Sequence, residues 1–105
     1  MDDKEFNALA DATLARIENA LENCGADLDC EPMAGGILEV EFADGSKIIV
    51  NRHGVAREIW VAAKSGGFHF RHDGTAWRDT RDQQELFAKL AQLVSVQSGT
   101  SVQLD

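Results

Sequence analysis

Tyrosine is missing from this sequence, proline occurs once, and aromatic residues make up only 7% of its 105 positions. Basic residues are also scarce, with 10 Lys and Arg against 18 Asp and Glu, which gives a formal charge of -8. Nucleic acids and anionic membranes are bound through clustered Lys and Arg, so the sequence predicts a protein that binds neither of them. The apolar runs are only a few residues long, and we therefore expect no membrane-spanning helix.

The amino-terminal residues Met1-Asp2-Asp3-Lys4 are acidic and precede no apolar segment. No secretory signal is predicted, and we expect a cytoplasmic protein. The two cysteines, Cys24 and Cys30, are six residues apart, which is not the Cys-x-x-Cys spacing of redox or zinc sites. We interpret them as reduced thiols, one of them packed inward. The length predicts a single domain over residues 1–105.

Hydrophobic spacing predicts helices at the two ends of the chain. Apolar residues from Phe6 to Leu21 recur at three- and four-residue steps, which predicts a helix capped by Asp2 or Asp3 and ended by Gly25. The second helix carries its apolar stripe from Leu86 to Val94 and closes near Gly99. A capping box is expected to open it, formed by Thr80 and Gln83 or by Asp82 and Glu85.

Alternating polar and apolar residues predict strands between the two helices. The predicted strands cover residues 27–31, 37–42, 47–51, 58–63, 68–72 and 76–79. Pro32 and the pair Gly35-Gly36 are expected to break the chain after the first of them. This order predicts an α+β two-layer sandwich, with two helices packed on one face of a five- to six-stranded antiparallel sheet.

The sequence contains none of the short motifs that mark nucleophilic, phosphate-binding, dinucleotide-binding or zinc-protease sites. His69 and His72 are three positions apart on a strand, so they point to opposite faces and cannot hold one metal ion together. His53 is expected in a loop. We interpret all three as surface or rim histidines, and we expect a protein that is not an enzyme.

Acidic residues are concentrated in the first part of the chain. Residues 1–44 contain 12 acids and 2 bases, a net charge of -10, whereas residues 45–105 contain 6 acids and 8 bases, a net charge of +2. Helical spacing places several carboxylates on one stripe of the first helix, and the following strand adds more. We call this set the acidic ridge: Asp3, Asp11, Glu18, Glu22, Asp27, Asp29 and Glu31.

The acidic ridge has two interpretations. Neither Lys4 nor Arg16 is placed to neutralise its helical members, so its carboxylates are expected to be uncompensated. It could be a solvated face that keeps the protein soluble and protects a sheet edge. It could equally be a shallow site for iron, manganese or calcium, or a docking face for a basic partner.

A second candidate surface is the open face of the sheet. In Glu58-Ile59-Trp60-Val61, alternation puts Ile59 and Val61 on one face and Trp60 on the other. Tryptophan is enriched in binding interfaces, so an open-face Trp60 predicts a partner contact. The alternative is that Trp60 packs flat across neighbouring strands without a partner. Trp77, which precedes the second helix, is expected in the core.

Several segments together resemble the frataxin family. They are Glu5-Phe6 with Leu9-Ala10-Asp11, Ile17-Glu18, Asp27-Leu28-Asp29-Cys30-Glu31, Gly45 to Arg52, Glu58 to Ala62, and Gly66 to Phe70. The resemblance extends over nearly the whole chain. The sequence departs from the family pattern at His53-Gly54-Val55 and at Glu58, where a glutamine is common.

The resemblance implies a role in iron–sulfur cluster assembly. It implies weak, reversible binding of Fe²⁺ or Fe³⁺ on the acidic ridge and docking on a cysteine desulfurase, together with the iron–sulfur scaffold protein. The implied partner-binding residues are Glu18, Glu22, Asp29, Glu31, Asn51, Arg52 and Trp60. The expected state is a monomer that metal can drive into oligomers. Two alternatives stay open, an iron store or donor that delivers iron to the scaffold, and a ferroxidase-type enzyme.

Overall fold

The computed structural model describes residues 1–104. Along the chain, the two predicted helices precede and follow six strands. The elements are α1 (Asp3–Glu22), β1 (Leu28–Met33), β2 (Ile37–Phe42), β3 (Lys47–His53), β4 (Glu58–Ala63), β5 (Gly66–His72), β6 (Trp77–Asp79) and α2 (Leu86–Ser98). The strands pair antiparallel in the order β1-β2-β3-β4-β5-β6. The predicted α+β two-layer sandwich is therefore confirmed.

One hydrophobic core lies between the helices and the sheet. Alternate residues of the strands, such as Val40, Val50 and Val61, are buried beneath Phe6 and Ile17 of α1. Trp77 belongs to this core, as predicted, and its Nε1 donates to Thr13 Oγ1 of α1 at 3.0 Å. Alternation along each strand thus separates a helix-facing side from an outer side.

Both helices are capped by side chains at their first turn. Asp2 caps α1 as predicted, since its Oδ1 accepts from Glu5 N at 2.8 Å. The capping box predicted for α2 is wrong: the cap is Glu85, whose carboxylate accepts from Phe87 N and Ala88 N. The chain runs through positive φ at Gln83, which holds residues 80–84 outside the helix. Gly99 closes α2 in the left-handed region, as predicted.

Three strand boundaries extend beyond the predicted ones. β1 continues through Pro32, which was expected to break the chain, because β1 is an edge strand that pairs only with β2. β3 continues to His53 because Arg52 N donates to Gly36 O and His53 pairs with Glu58. β5 begins at Gly66, which pairs with Ala63 across a tight turn. Within residues 1–104, no helix combines the length and the apolar character needed to cross a membrane.

Candidate functional site: an acidic flank and an aromatic sheet face

The helical members of the acidic ridge lie along one flank of α1. Asp3, Asp11 and Glu22 are exposed, and Glu18 is half-buried. The two amino-terminal carboxylates form ion pairs within the fold. Arg57 Nη2 is 2.8 Å from Asp3 Oδ1, and a second arginine lies 2.7 Å from Asp11 Oδ1.

 

That second arginine is Arg52 of β3. The prediction of an uncompensated ridge is therefore wrong for Asp3 and Asp11, because their counter-ions come from β3 and the turn after it, more than 40 positions along the chain.

The two carboxyl-terminal glutamates on the same flank have no counter-ion within the described chain. Neither Glu18 nor Glu22 forms an ion pair with any residue of the described chain. Both face the thiol of Cys30, which points from β1 toward α1. Burial, followed by the negative charges of Glu18 and Glu22, raises the pKa of Cys30 to about 12. This end of α1 therefore presents a local negative field to its surroundings.

The strand members of the ridge face the other way. Cys30 pairs with the buried Val40, so its neighbours Asp29 and Glu31 point to the outer side of the sheet. There Asp29 stands opposite Glu41 and Glu31 opposite Glu39. Asp27 is exposed just before β1. The acidic ridge is thus divided by β1 into a helical part and an outer-face part.

The outer-face part includes two glutamates that were not predicted as site residues, Glu39 and Glu41. The alternation along β2 turns both away from the buried Leu38 and Val40, and the register of β1 on β2 shows that they stand beside Asp29 and Glu31. Lys47 Nζ is 2.7 Å from Glu39 Oε1, and this contact raises the pKa of the lysine. Like charges directly opposite each other on two strands are unfavourable, so this corner of the sheet retains an uncompensated negative charge.

The carboxylates form rows and do not form a chelating cage. Within residues 1–104, no three His, Cys, Asp or Glu side chains are grouped closely enough to hold a metal ion. Carboxylate oxygens are nevertheless the donors that hard cations prefer. The rows suit a cation shared between neighbouring carboxylates and water, or the ammonium and guanidinium groups of another protein.

Trp60 lies on the outer face of the sheet, as predicted, within a row of three stacked rings. The His53 ring lies 3.7 Å from the Trp60 ring and the His69 ring 4.3 Å from it, centroid to centroid, both nearly parallel to it. The indole Nε1 donates to Glu58 Oε1 at 2.9 Å. Arg71 Nη2 donates to Glu58 Oε2 at 2.6 Å, so the buried Glu58 carboxylate fixes both groups.

The histidines follow the faces that their spacing predicted. His69 stacks on Trp60 at the outer face, whereas His72 meets the core residue Trp77 edge-on. His53 was expected in a loop, and this prediction is wrong, because His53 is the last residue of β3. Sequence reasoning missed the stack because His53, Trp60 and His69 come from three strands and meet only through their register.

Arg52, which the resemblance implies as a partner-binding residue together with Asn51 and Trp60, does not share their face of the sheet. Asn51 pairs with Trp60 and points outward with it. Arg52 pairs with the buried Ile59 and points toward α1, where its Nη1 is 2.7 Å from Asp11 Oδ1. Two neighbours on a strand cannot share a face, so this separation follows from the pleat alone.

Comparison with known proteins gives relatives along nearly the whole chain. Residues 1–100 match a family model described as a frataxin-like domain. The chain is 65% identical over 104 residues to the iron-sulfur cluster assembly protein CyaY of Dechloromonas aromatica (strain RCB), with 99% of each chain covered. It is 53% identical over 108 residues to the CyaY protein of Janthinobacterium sp. (strain Marseille), covering 99% of this chain and 96% of that protein.

The fold has a solved counterpart in the same family. A frataxin from Psychromonas ingrahamii, of the CyaY protein family, superposes with a TM-score of 0.89 at 32% sequence identity. The match covers 98% of this chain and 97% of that one. Family model, relatives and fold agree with the resemblance carried by the sequence segments, and the chain belongs to the frataxin family.

Proposed function

We propose that this protein is an iron-binding regulator of iron–sulfur cluster assembly that docks on a cysteine desulfurase. The two relatives described above carry the name iron-sulfur cluster assembly protein, which supports the general process. The observation that carries the proposal is the unequal neutralisation of the acidic ridge. Its amino-terminal members have internal arginine partners, whereas Glu18, Glu22, Asp29 and Glu31 have no ion-pair partner within residues 1–104.

Carboxylates that have no ion-pair partner within their own protein are available to basic groups of another protein. A protein surface rich in Lys and Arg is attracted to this corner at long range, and each of its guanidinium groups can donate two hydrogen bonds to one carboxylate. The Trp60 row lies on the same outer sheet face as Asp29 and Glu31. We assign Trp60 and Asn51 to the same interface, with the desulfurase and the scaffold protein as the partners.

Iron would act at this surface as a charge regulator. Fe²⁺ or Fe³⁺ held reversibly by neighbouring carboxylates lowers the net negative charge, and thereby weakens or reorganises the attraction to a basic partner. Binding of this kind is weak, because each ion has few protein ligands and keeps much of its water. The alternative role, an iron store or donor, differs in dose: a store holds many ions per chain, whereas a regulator acts near one-to-one with its partner.

The test is binding to purified cysteine desulfurase across a series of salt concentrations. The variant E18Q/E22Q/D29N/E31Q is expected to bind at least about tenfold more weakly than wild type and with a shallower salt dependence. The control D2N/E5Q removes two charges at the other end of α1, and Asn keeps the helix cap, so its affinity should stay close to that of wild type. Equal binding by all three proteins would leave the ridge as a solvated face and refute the proposal.

A separate titration distinguishes the two iron roles. Ferrous iron is added anaerobically to the protein, the bound ions per chain are counted, and desulfurase activity is followed at increasing protein dose. A change in activity that is complete near one protein per desulfurase supports the regulator. A response that grows only with the total iron carried supports the store or donor.

A further inference from the structure

Arg52 connects two parts of the molecule that the proposed function requires together. Its side chain leaves β3 on the helix-facing side, and its Nη1 is 2.7 Å from Asp11 Oδ1. One position before it, Asn51 faces outward beside Trp60, and one position after it, His53 stacks on the Trp60 ring. The same short segment therefore contacts α1 through one side and supports the aromatic row through the other.

The contact between Arg52 and Asp11 is built into the fold and is not a loose surface pair. Arg52 N donates to Gly36 O at 2.8 Å, and the arginine side chain lies directly over Gly36. A Cβ at Gly36 would stand 2.7 Å from Arg52 Nε, so any side chain at this position would displace the arginine from its present place. The Arg52 side chain is 24% exposed, less than half of the value for Asp11.

A second ion pair connects the turn between β3 and β4 to α1. Arg57, just before β4, donates from Nε and Nη2 to Asp3 Oδ1 at 3.2 and 2.8 Å. The two arginines flank the turn between β3 and β4, and the two aspartates lie on the amino-terminal half of α1. Together they hold this turn against the helix from both sides.

We propose that Arg52 is a positioning residue that acts through Asp11, and that it does not itself contact the partner. The Arg52–Asp11 pair fixes the end of the β3–β4 hairpin, and with it Trp60, relative to the docking carboxylates Glu18 and Glu22. This inference rests on the proposed function, in which one partner touches both surfaces. A partner that engages two surfaces at once binds more tightly when their relative placement is fixed beforehand.

The docking test is a double-mutant cycle with the same desulfurase. D11N and R52Q are each expected to weaken docking by about three- to tenfold, and D11N/R52Q should bind no more weakly than the weaker single variant. A direct contact by Arg52 would instead show loss with R52Q and no change with D11N. A purely electrostatic role would show tighter binding with R52Q and weaker binding with D11N. Either of these two patterns overturns the proposal.

A second arm uses the free protein, so it does not depend on the partner. Ala56 N donates to His53 Nδ1 within the turn, and the exchange of this amide with solvent reports how firmly the turn is held. Exchange at Ala56 and Arg52 should accelerate similarly in D11N and R52Q. It should be unchanged in K47Q, which breaks the exposed Lys47–Glu39 pair as a matched control.

The two arms separate the failure of this inference from the failure of the proposed function. If wild type does not bind the desulfurase, the proposed function fails, and the amide exchange still decides whether Arg52 and Asp11 hold the turn. If wild type binds and the exchange rates at Ala56 and Arg52 stay at their wild-type values in both variants, the positioning role is refuted.

Discussion

Cys30 shows how a single residue can lose its reactivity through its neighbours. Its thiol lies half-buried between β1 and α1, and burial together with Glu18 and Glu22 raises its pKa to about 12. The thiolate is the reactive form of cysteine, so almost none of it is present near neutral pH. The sequence interpretation of an inward-packed, reduced thiol fits this environment, although the two glutamates could not be paired with Cys30 from spacing.

We predict that Cys30 is alkylated slowly in the folded protein. In a C24S background, iodoacetamide should modify Cys30 more than about tenfold more slowly than it modifies the same protein unfolded in urea. Adding E18Q and E22Q should accelerate the reaction, because two negative charges that oppose thiolate formation are then gone. Labelling is followed by intact mass. A rate in the folded protein equal to that in urea would contradict the prediction.

At the scale of elements, the β1–β2 hairpin turn decides whether Arg52 can reach α1. Gly35 and Gly36 both have positive φ, 88° and 75°, as the predicted turn requires. Only Gly36 is covered by the Arg52 side chain, since nothing lies within 4 Å of a Cβ built at Gly35. Both glycines therefore need a positive φ, but only Gly36 also has a tertiary contact with Arg52.

We predict that G36A destabilises the protein more than G35A. The backbone cost of alanine at positive φ is about 1–2 kcal/mol at either position. G36A adds the displacement of Arg52, so its free energy of unfolding in urea should fall further than that of G35A. In an R52A background the difference between the two variants should shrink, because only the Cβ of residue 52 then remains close to position 36. Equal losses in the wild-type background would show that Arg52 is not confined by Gly36.

At the scale of the whole molecule, acidic side chains at several turns are stabilised as carboxylates. Backbone N–H groups of Ala76 and Thr75 donate to Asp73 and lower its pKa from 3.8 to about 2. A hydrogen bond from the Lys89 ammonium group lowers the pKa of Asp82, and hydrogen bonds from Ser46 lower that of Asp44. All three groups bind a proton less readily in the folded state than in the unfolded state.

This difference sets the direction of the acid response. A lowered folded pKa contributes stability that is present above the ordinary value of 3.8 and is lost as pH falls toward about 2. We predict that the urea midpoint of wild type declines through this interval. D73N, which cannot titrate at that position, should start lower at neutral pH and decline less steeply. Parallel curves for the two proteins would contradict the assignment to Asp73.

Most of the fold followed from local patterns in the sequence. The three- and four-residue steps in α1, the alternation in β2 and β4, and the glycines at the turns each match the observed elements. The errors fell where a tertiary contact overrides a local signal. Pro32 stays within β1 because that strand is an edge, and Glu85 caps α2 in place of the predicted box because Gln83 takes positive φ.

The sequence by itself determined the fold, the family, the acidic excess of the first 44 residues and the outward face of Trp60. These features depend on composition, on periodicity and on motifs that are contiguous in the chain. Only the tertiary structure decided which charges remain unpaired. Asp3 and Asp11 form ion pairs with Arg57 and Arg52, whereas Glu18 and Glu22 have no ion-pair partner within residues 1–104. An ion pair depends on distance in space, and these pairs join residues that are 41 and 54 positions apart in the chain.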